Sequence, residues 1–163
     1  MQFKKAKLFW GIYNDTKKIF CISYDDKIEY YTFLKQCHNN GYRQIIITSE
    51  IMIKLIEFFV VENNFTIYKL EFMEDDDELQ MEIRGLFQQM TNNIAFLSKF
   101  IEKLNFLSEK SSIEIKRIYF KGRDKKGVAS QFYLQSNGII GINKENFSFV
   151  SNSIGSLIER YLF

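Results

Sequence analysis

The stretch DELQMEIRGLFQQMTNNIAFLSKFIEKLNFLS, residues 77–108, decides how the chain is to be read. Projected at about 100° per residue, Leu79, Ile83, Leu86, Phe87, Met90, Ile94, Leu97, Ile101 and Leu104 fall within about 100° of arc, the width of one core-facing stripe. Beyond Asn93 a second apolar shoulder, Phe96, Phe100 and Leu107, joins the first, where the earlier half carries Glu82, Gln89 and Asn93 on that flank. Read as one helix, the stretch is about 48 Å long, against about 40 Å across for a compact chain of this length. Such a helix spans the molecule or gives part of its stripe to another chain. A break within Met90 to Asn93 would turn it into a helical hairpin.

Upstream, Lys7 to Tyr13 and Lys18 to Tyr24 are strand-like runs around Asn14-Asp15-Thr16-Lys17, a hairpin signal. A helix capped by Asp25 or Asp26 runs to about His38, Tyr42 to Thr48 is a short strand, and Ser49 caps a helix that ends at Asn63-Asn64. Phe65 to Met73 is a strand again. This order implies crossovers and a largely parallel sheet with one antiparallel edge. Downstream, Ile113 to Lys121, Val128 to Gln135 and Ile139 to Ile142 form an antiparallel meander turning at residues 122–127 and at Ser136-Asn137-Gly138. A helix from about Asn146 closes the chain. The expected fold is α+β: a small ββαβαβ lobe with a mixed sheet (1–74), one long central helix (75–108), then the meander and final helix (109–163), integrated as one domain.

Composition narrows the chemistry. Across 163 residues there are 17 Phe and 9 Tyr but no Pro, so the core is built from large rings and no loop is stiffened by proline. The bias toward Phe, Tyr, Ile, Asn and Lys is what A/T-rich codons give, which points to a low-GC host or a phage or plasmid of one. A net charge of +2 selects no partner by itself, so only its distribution can be informative. Cys21 and Cys37 make no disulfide framework. No run has the length or apolarity of a membrane span or signal peptide, so the expected location is cytoplasmic.

Catalytic constellations are scarce. The acidic run Glu74 to Glu78 suits the exposed amides at a helix start better than a metal ion, because neighbouring helical side chains diverge. Glu114-x-Lys116 matches a metal-dependent nuclease pair but lacks the strand context such a site needs, and with Glu71 and the carboxylates at 74–77 it makes the one acidic cluster an enzyme could use. Cys37-His38 falls short of the roughly four ligands of a zinc site. The opening FWGIYNDTKKIFCIS and the alternation after it faintly resemble an RNase H-like fold over residues 7–73. No specific motif carries that likeness, so no activity follows from it. No cofactor, metal site or small-molecule substrate is expected.

Two surfaces remain. Lys116, Arg117, Lys121, Arg123, Lys125 and Lys126 crowd one hairpin, interleaved with Tyr119 and Phe120, a pattern that meets phosphates. Phe96, Phe100, Leu107, Ile154, Leu157, Tyr161 and Phe163 offer more apolar surface than one helix face needs, as a homodimer or partner interface would. The leading expectation is therefore a non-catalytic interaction protein: a regulator, inhibitor or accessory subunit of a larger assembly, as in a phage, plasmid or defence system. The alternative is nucleic-acid binding through the 116–126 hairpin.

Overall fold

A computed structural model of the chain describes residues 2–92 and 94–163. It is α+β, with five α-helices and seven strands among the described residues. The chain divides into two compact units, one taking the chain up to Ile47 together with Ser130–Phe163, the other being Thr48–Ala129. Within each unit the strands pair antiparallel.

The first unit is built on β1 (Phe3–Tyr13). One edge of β1 pairs with β2 (Thr16–Ser23) across a turn in which Asn14 and Asp15 take φ of 50° and 60°. Those two residue types tolerate the left-handed region that a tight hairpin requires. The other edge is shared: Phe3 to Lys7 pairs with β7 (Ile139–Asn143), and Phe9-Trp10 with the two-residue β3 (Arg43–Gln44). On β7 lies β6 (Ala129–Gln135).

Alternation along β1 then sorts its side chains between two helices. Lys5, Lys7 and Phe9 face α1 (Tyr30–Asn39) and the turn before it: Lys5 pairs with Asp26 at 3.1 Å, and the Phe9 ring lies 6.0 Å from Phe33. Lys4 and Trp10 face α5 (Phe147–Leu162), where Lys4 sits over the Phe147 ring and Trp10 is 6.4 Å from Phe163. Glu159 of α5 accepts the Ile19 N–H at 2.8 Å, which satisfies a donor on β2.

The second unit contains α2 (Ser49–Glu57) with a π-helical turn to Glu62, β4 (Thr66–Phe72), α3 (Asp77–Asn92), α4 (Leu97–Lys110) and β5 (Ile115–Arg123). Thr48, not Ser49, caps α2 by accepting the Ile51 N–H at 3.3 Å. At the start of α3 the Asp76 carboxylate accepts the Leu79 N–H at 3.0 Å, so the acidic run does serve as a cap. The core centres on Phe59, 5.6 Å from Phe65 and 5.4 Å from Phe120, all buried. Ring pairs of this kind add about 0.5–1.5 kcal/mol each beyond area burial.

Three expectations change. The central helix is two helices joined by a 3₁₀ turn at Ile94–Phe96, with Asn93 outside the described residues. The rings of Phe87 and Phe100 are 5.4 Å apart and Glu82 pairs with Lys103 at 3.0 Å. On one continuous helix residues 82 and 103 would lie about 31 Å apart, so α3 and α4 fold back on each other as a hairpin. The mixed sheet gives way to antiparallel pairs, because β4 finds its partner in β5 and β1 finds one in β7. For the same reason the two units cut across the segments 1–74, 75–108 and 109–163.

Candidate nucleic-acid interface

Strands β4 and β5 share an irregularity. Both interrupt strict alternation with an apolar-polar-polar-apolar step, Ile67-Tyr68-Lys69-Leu70 and Ile115-Lys116-Arg117-Ile118. The pairing absorbs each step as a bulge: Ile67 opposes Phe120 and Lys69 opposes Tyr119, leaving Tyr68 extra, while Phe72 opposes Ile115 and Glu71 opposes Arg117, leaving Lys116 extra. Ile67, Leu70, Phe72, Ile115, Ile118 and Phe120 are thereby all buried. Two consecutive residues on each strand are turned away from the core, as a bulge allows.

The outward row gathers polar and aromatic groups that are far apart in sequence. Tyr68 is 40% exposed and its ring is 5.7 Å from that of Tyr119. Lys121 Nζ stands 5.6 Å from the Tyr68 centroid and Lys69 Nζ 5.2 Å from the Tyr119 centroid, within cation–π reach. Glu71 holds the other end of the row: Lys69 pairs with it at 3.2 Å, Arg117 Nε is 3.8 Å away, and the Tyr119 hydroxyl donates to it at 3.3 Å. Arg117 in turn donates to the Tyr119 oxygen at 2.6 Å. Partly exposed pairs of this kind contribute about 1 kcal/mol or less each, so this network orients side chains more than it stabilises the fold. Burial, and then the neighbouring Tyr119, push the Tyr68 phenol above its ordinary pKa.

Beyond Lys121 the strand ends in a turn. Gly122 lies against Phe65, where an added Cβ would come within 2.8 Å of the ring, so only glycine fits. The Asp124 carboxylate accepts the N–H groups of Lys126 and Val128 at 2.9 and 2.8 Å, and Gly127 takes a φ of 80°. Arg123 donates to the Gly127 carbonyl at 2.8 Å. Lys125 and Lys126 project at the tip, exposed.

No family model, curated protein or solved structure matches this chain. The site is therefore read from its own geometry. Of the six cations singled out by sequence, Arg117, Lys121 and Arg123 share the outward row, Lys116 occupies the second bulge, and Lys125 and Lys126 sit on the turn. Sequence reading missed Tyr68 and Lys69 and placed Glu71 with the acidic candidates instead; all three arrive through the β4–β5 pairing. The doubled apolar-polar-polar-apolar step was the signal that could have found them.

The other candidates are dispersed. Phe100, Leu107, Ile154 and Leu157 are buried, which removes them from the expected interface; Phe96 is half-buried, and Tyr161 and Phe163 are exposed. Strand β4 does lie beside β5, but Glu114 is held by the hydroxyls of Ser49 and Ser108 while Glu71 is held by cations, so the two carboxylates serve separate networks. Among the described residues no cluster of three His, Cys, Asp or Glu is placed to hold a metal ion, and no helix is long and apolar enough to cross a membrane. In the first unit a cleft of about 750 Å³ is lined by four lysines and two aspartates, of which Lys5 and Asp26 pair with each other. In the second, a cleft of about 460 Å³ is lined by Glu57, Glu62 and Glu102 together with Val61, Leu97 and Ile101.

Lys7 is the most unusual ionisable group. Its side chain is fully buried against α1, its ammonium donates to the Asn137 carbonyl, and the Phe9 and Tyr30 rings lie 5.7 and 5.9 Å away. Burial lowers its pKa from 10.5 to about 8, opposed in part by the neighbouring Cys37. Between pH 8 and 10.5 the unfolded lysine binds more protons than the folded one, so this group makes stability rise with pH across that window. Cys21, Cys37 and Tyr30, whose pKa values are raised by burial, act in the opposite sense. Urea unfolding of the wild type and Lys7→Met at pH 7.5, 8.5 and 9.5 isolates the lysine. The wild type is expected to gain on the variant as pH rises; a pH-independent difference would contradict the assignment.

Proposed function

We propose that the protein binds nucleic acid on the outward face of β4 and β5. The observation that carries this reading is the pair of tyrosines, Tyr68 and Tyr119, flanked by Lys69, Lys121 and Arg123 on one strand pair. Cations supply the salt-dependent attraction to phosphates, and aromatic rings offer π-faces that accept any base. Glu71 offsets the charge of Lys69 and Arg117, which concentrates positive potential toward Lys121, Arg123 and the Lys125-Lys126 tip. Replacing Lys121, Arg123, Lys125 and Lys126 together by Glu is expected to abolish binding of a labelled oligonucleotide at 50 mM salt, measured by fluorescence anisotropy. Wild-type affinity is expected to fall steeply as salt is raised. Unchanged affinity in the variant, with its melting curve intact, or affinity insensitive to salt, would refute the reading.

A second reading, a protein partner or homodimer, is favoured by one observation in the first unit. Ile12 is 68% and Phe163 49% exposed, and Leu162 is exposed as well, at the end of the unit where Phe163 meets Trp10. The binding role envisaged is that of a regulator or accessory subunit, cytoplasmic, engaging through this apolar end instead of the helical hairpin. Light scattering after size exclusion checks it. A dimer dispersed by Ile12→Lys with Phe163→Lys is the expected result, and a monomer at every concentration would remove the homodimer.

A further inference from the structure

We infer that the face on β4 and β5 takes single-stranded nucleic acid by its bases, with Tyr68 as the stacking ring and Lys121 and Arg123, both on the turn side of that ring, receiving successive phosphates. This rests on the nucleic-acid reading above and adds the strand state and the mode of contact.

The bulge at Tyr68 is the starting observation. Without the extra residue, Tyr68 and Lys69 would fall on opposite faces of β4, and one of them would displace Ile67 or Leu70 from the core. The bulge instead turns both outward, placing a large, partly exposed ring on the surface where a small polar residue would have sufficed. The ring is kept in place by Tyr119 at 5.7 Å and by Lys121 Nζ at 5.6 Å. A ring so held meets the face of a base at low conformational cost. In a duplex those faces are already stacked on their neighbours and only base edges are offered, so a stacking ring selects unpaired strands.

The charge layout agrees. Lys121 and Arg123 are two residues apart on β5, about 6.7 Å along the strand, a span of the order of one extended nucleotide step. Toward the opposite end, the carboxylate of Glu71 lies against Lys69 and near Arg117, so the potential is graded along the row. An acidic protein segment would meet the same cations, yet it would make no use of the ring. That difference separates the two partners.

The test is competition against a labelled single-stranded oligonucleotide at low salt, read by anisotropy. The competitors are the unlabelled strand, an abasic strand with the same number of phosphates, the corresponding duplex, and polyglutamate. The abasic strand and the duplex are expected to compete about tenfold more weakly or worse than the base-bearing strand. Tyr68→Ala is expected to bring the base-bearing strand down to the abasic level and leave the abasic strand unchanged, while Tyr68→Phe retains the preference. An abasic strand or duplex competing as well as the base-bearing strand overturns the inference and leaves nucleic-acid binding intact. Polyglutamate competing as well as the oligonucleotide overturns it in favour of an acidic protein partner. Absence of binding to any strand removes this inference together with the reading beneath it.

Discussion

The second unit depends on one constraint: six apolar side chains of β4 and β5, Ile67, Leu70, Phe72, Ile115, Ile118 and Phe120, are all buried although their spacing is not the period of a strand. A regular antiparallel ladder would put one of the three on each strand, Ile67 and Ile115, in water, at a cost of roughly 1.5–3 kcal/mol per large side chain. One extra residue in each strand resolves the conflict, and the register shifts fall where the sequence steps from apolar to apolar across two polar residues. The hydrophobic demand of the inward row thus dictates the composition of the outward one.

What the outward row can do follows from that. Tyr68-Lys69 and Lys116-Arg117 turn outward in pairs, and pairing across the strands sets Glu71 among Lys69, Arg117 and Tyr119. The result is a graded surface, offset by Glu71 at one end and strongly cationic toward the 123–128 turn, with an exposed ring between. The same pairing fixes the back of the site: Gly122 admits the Phe65 ring, and Phe65 packs on Phe59, which touches Phe120. Core and surface are two sides of one strand pair.

Much of this was legible in the sequence, and the remainder failed for identifiable reasons. The α+β class, the hairpin at Asn14-Asp15, the meander strands and the final helix followed from period and turn residues, which are local. The α3–α4 hairpin did not, because a helix that folds back keeps its 3.6-residue period on both sides; only the added shoulder at Phe96, Phe100 and Leu107 marked the change of neighbours. Parallel pairing was inferred from alternating helices and strands, yet Ile45-Ile46-Ile47 joins no strand: Ile45 and Ile47 are buried while Ile46 is exposed, and only Arg43–Gln44 pairs. The basic hairpin was visible as a cluster along the chain. Its partners Tyr68, Lys69 and Glu71 lie about fifty residues earlier and enter only through a pairing that the alternation of elements does not announce.

The register of β4 against β5 is the direct test of the central constraint, and cross-strand backbone contacts in a nuclear Overhauser spectrum measure it. The account requires Ile67 opposite Phe120, Lys69 opposite Tyr119, Glu71 opposite Arg117 and Phe72 opposite Ile115. A ladder without bulges, with Tyr68 opposite Phe120, Ile67 opposite Lys121 and Phe72 opposite Lys116, would contradict it and dissolve the outward row as described.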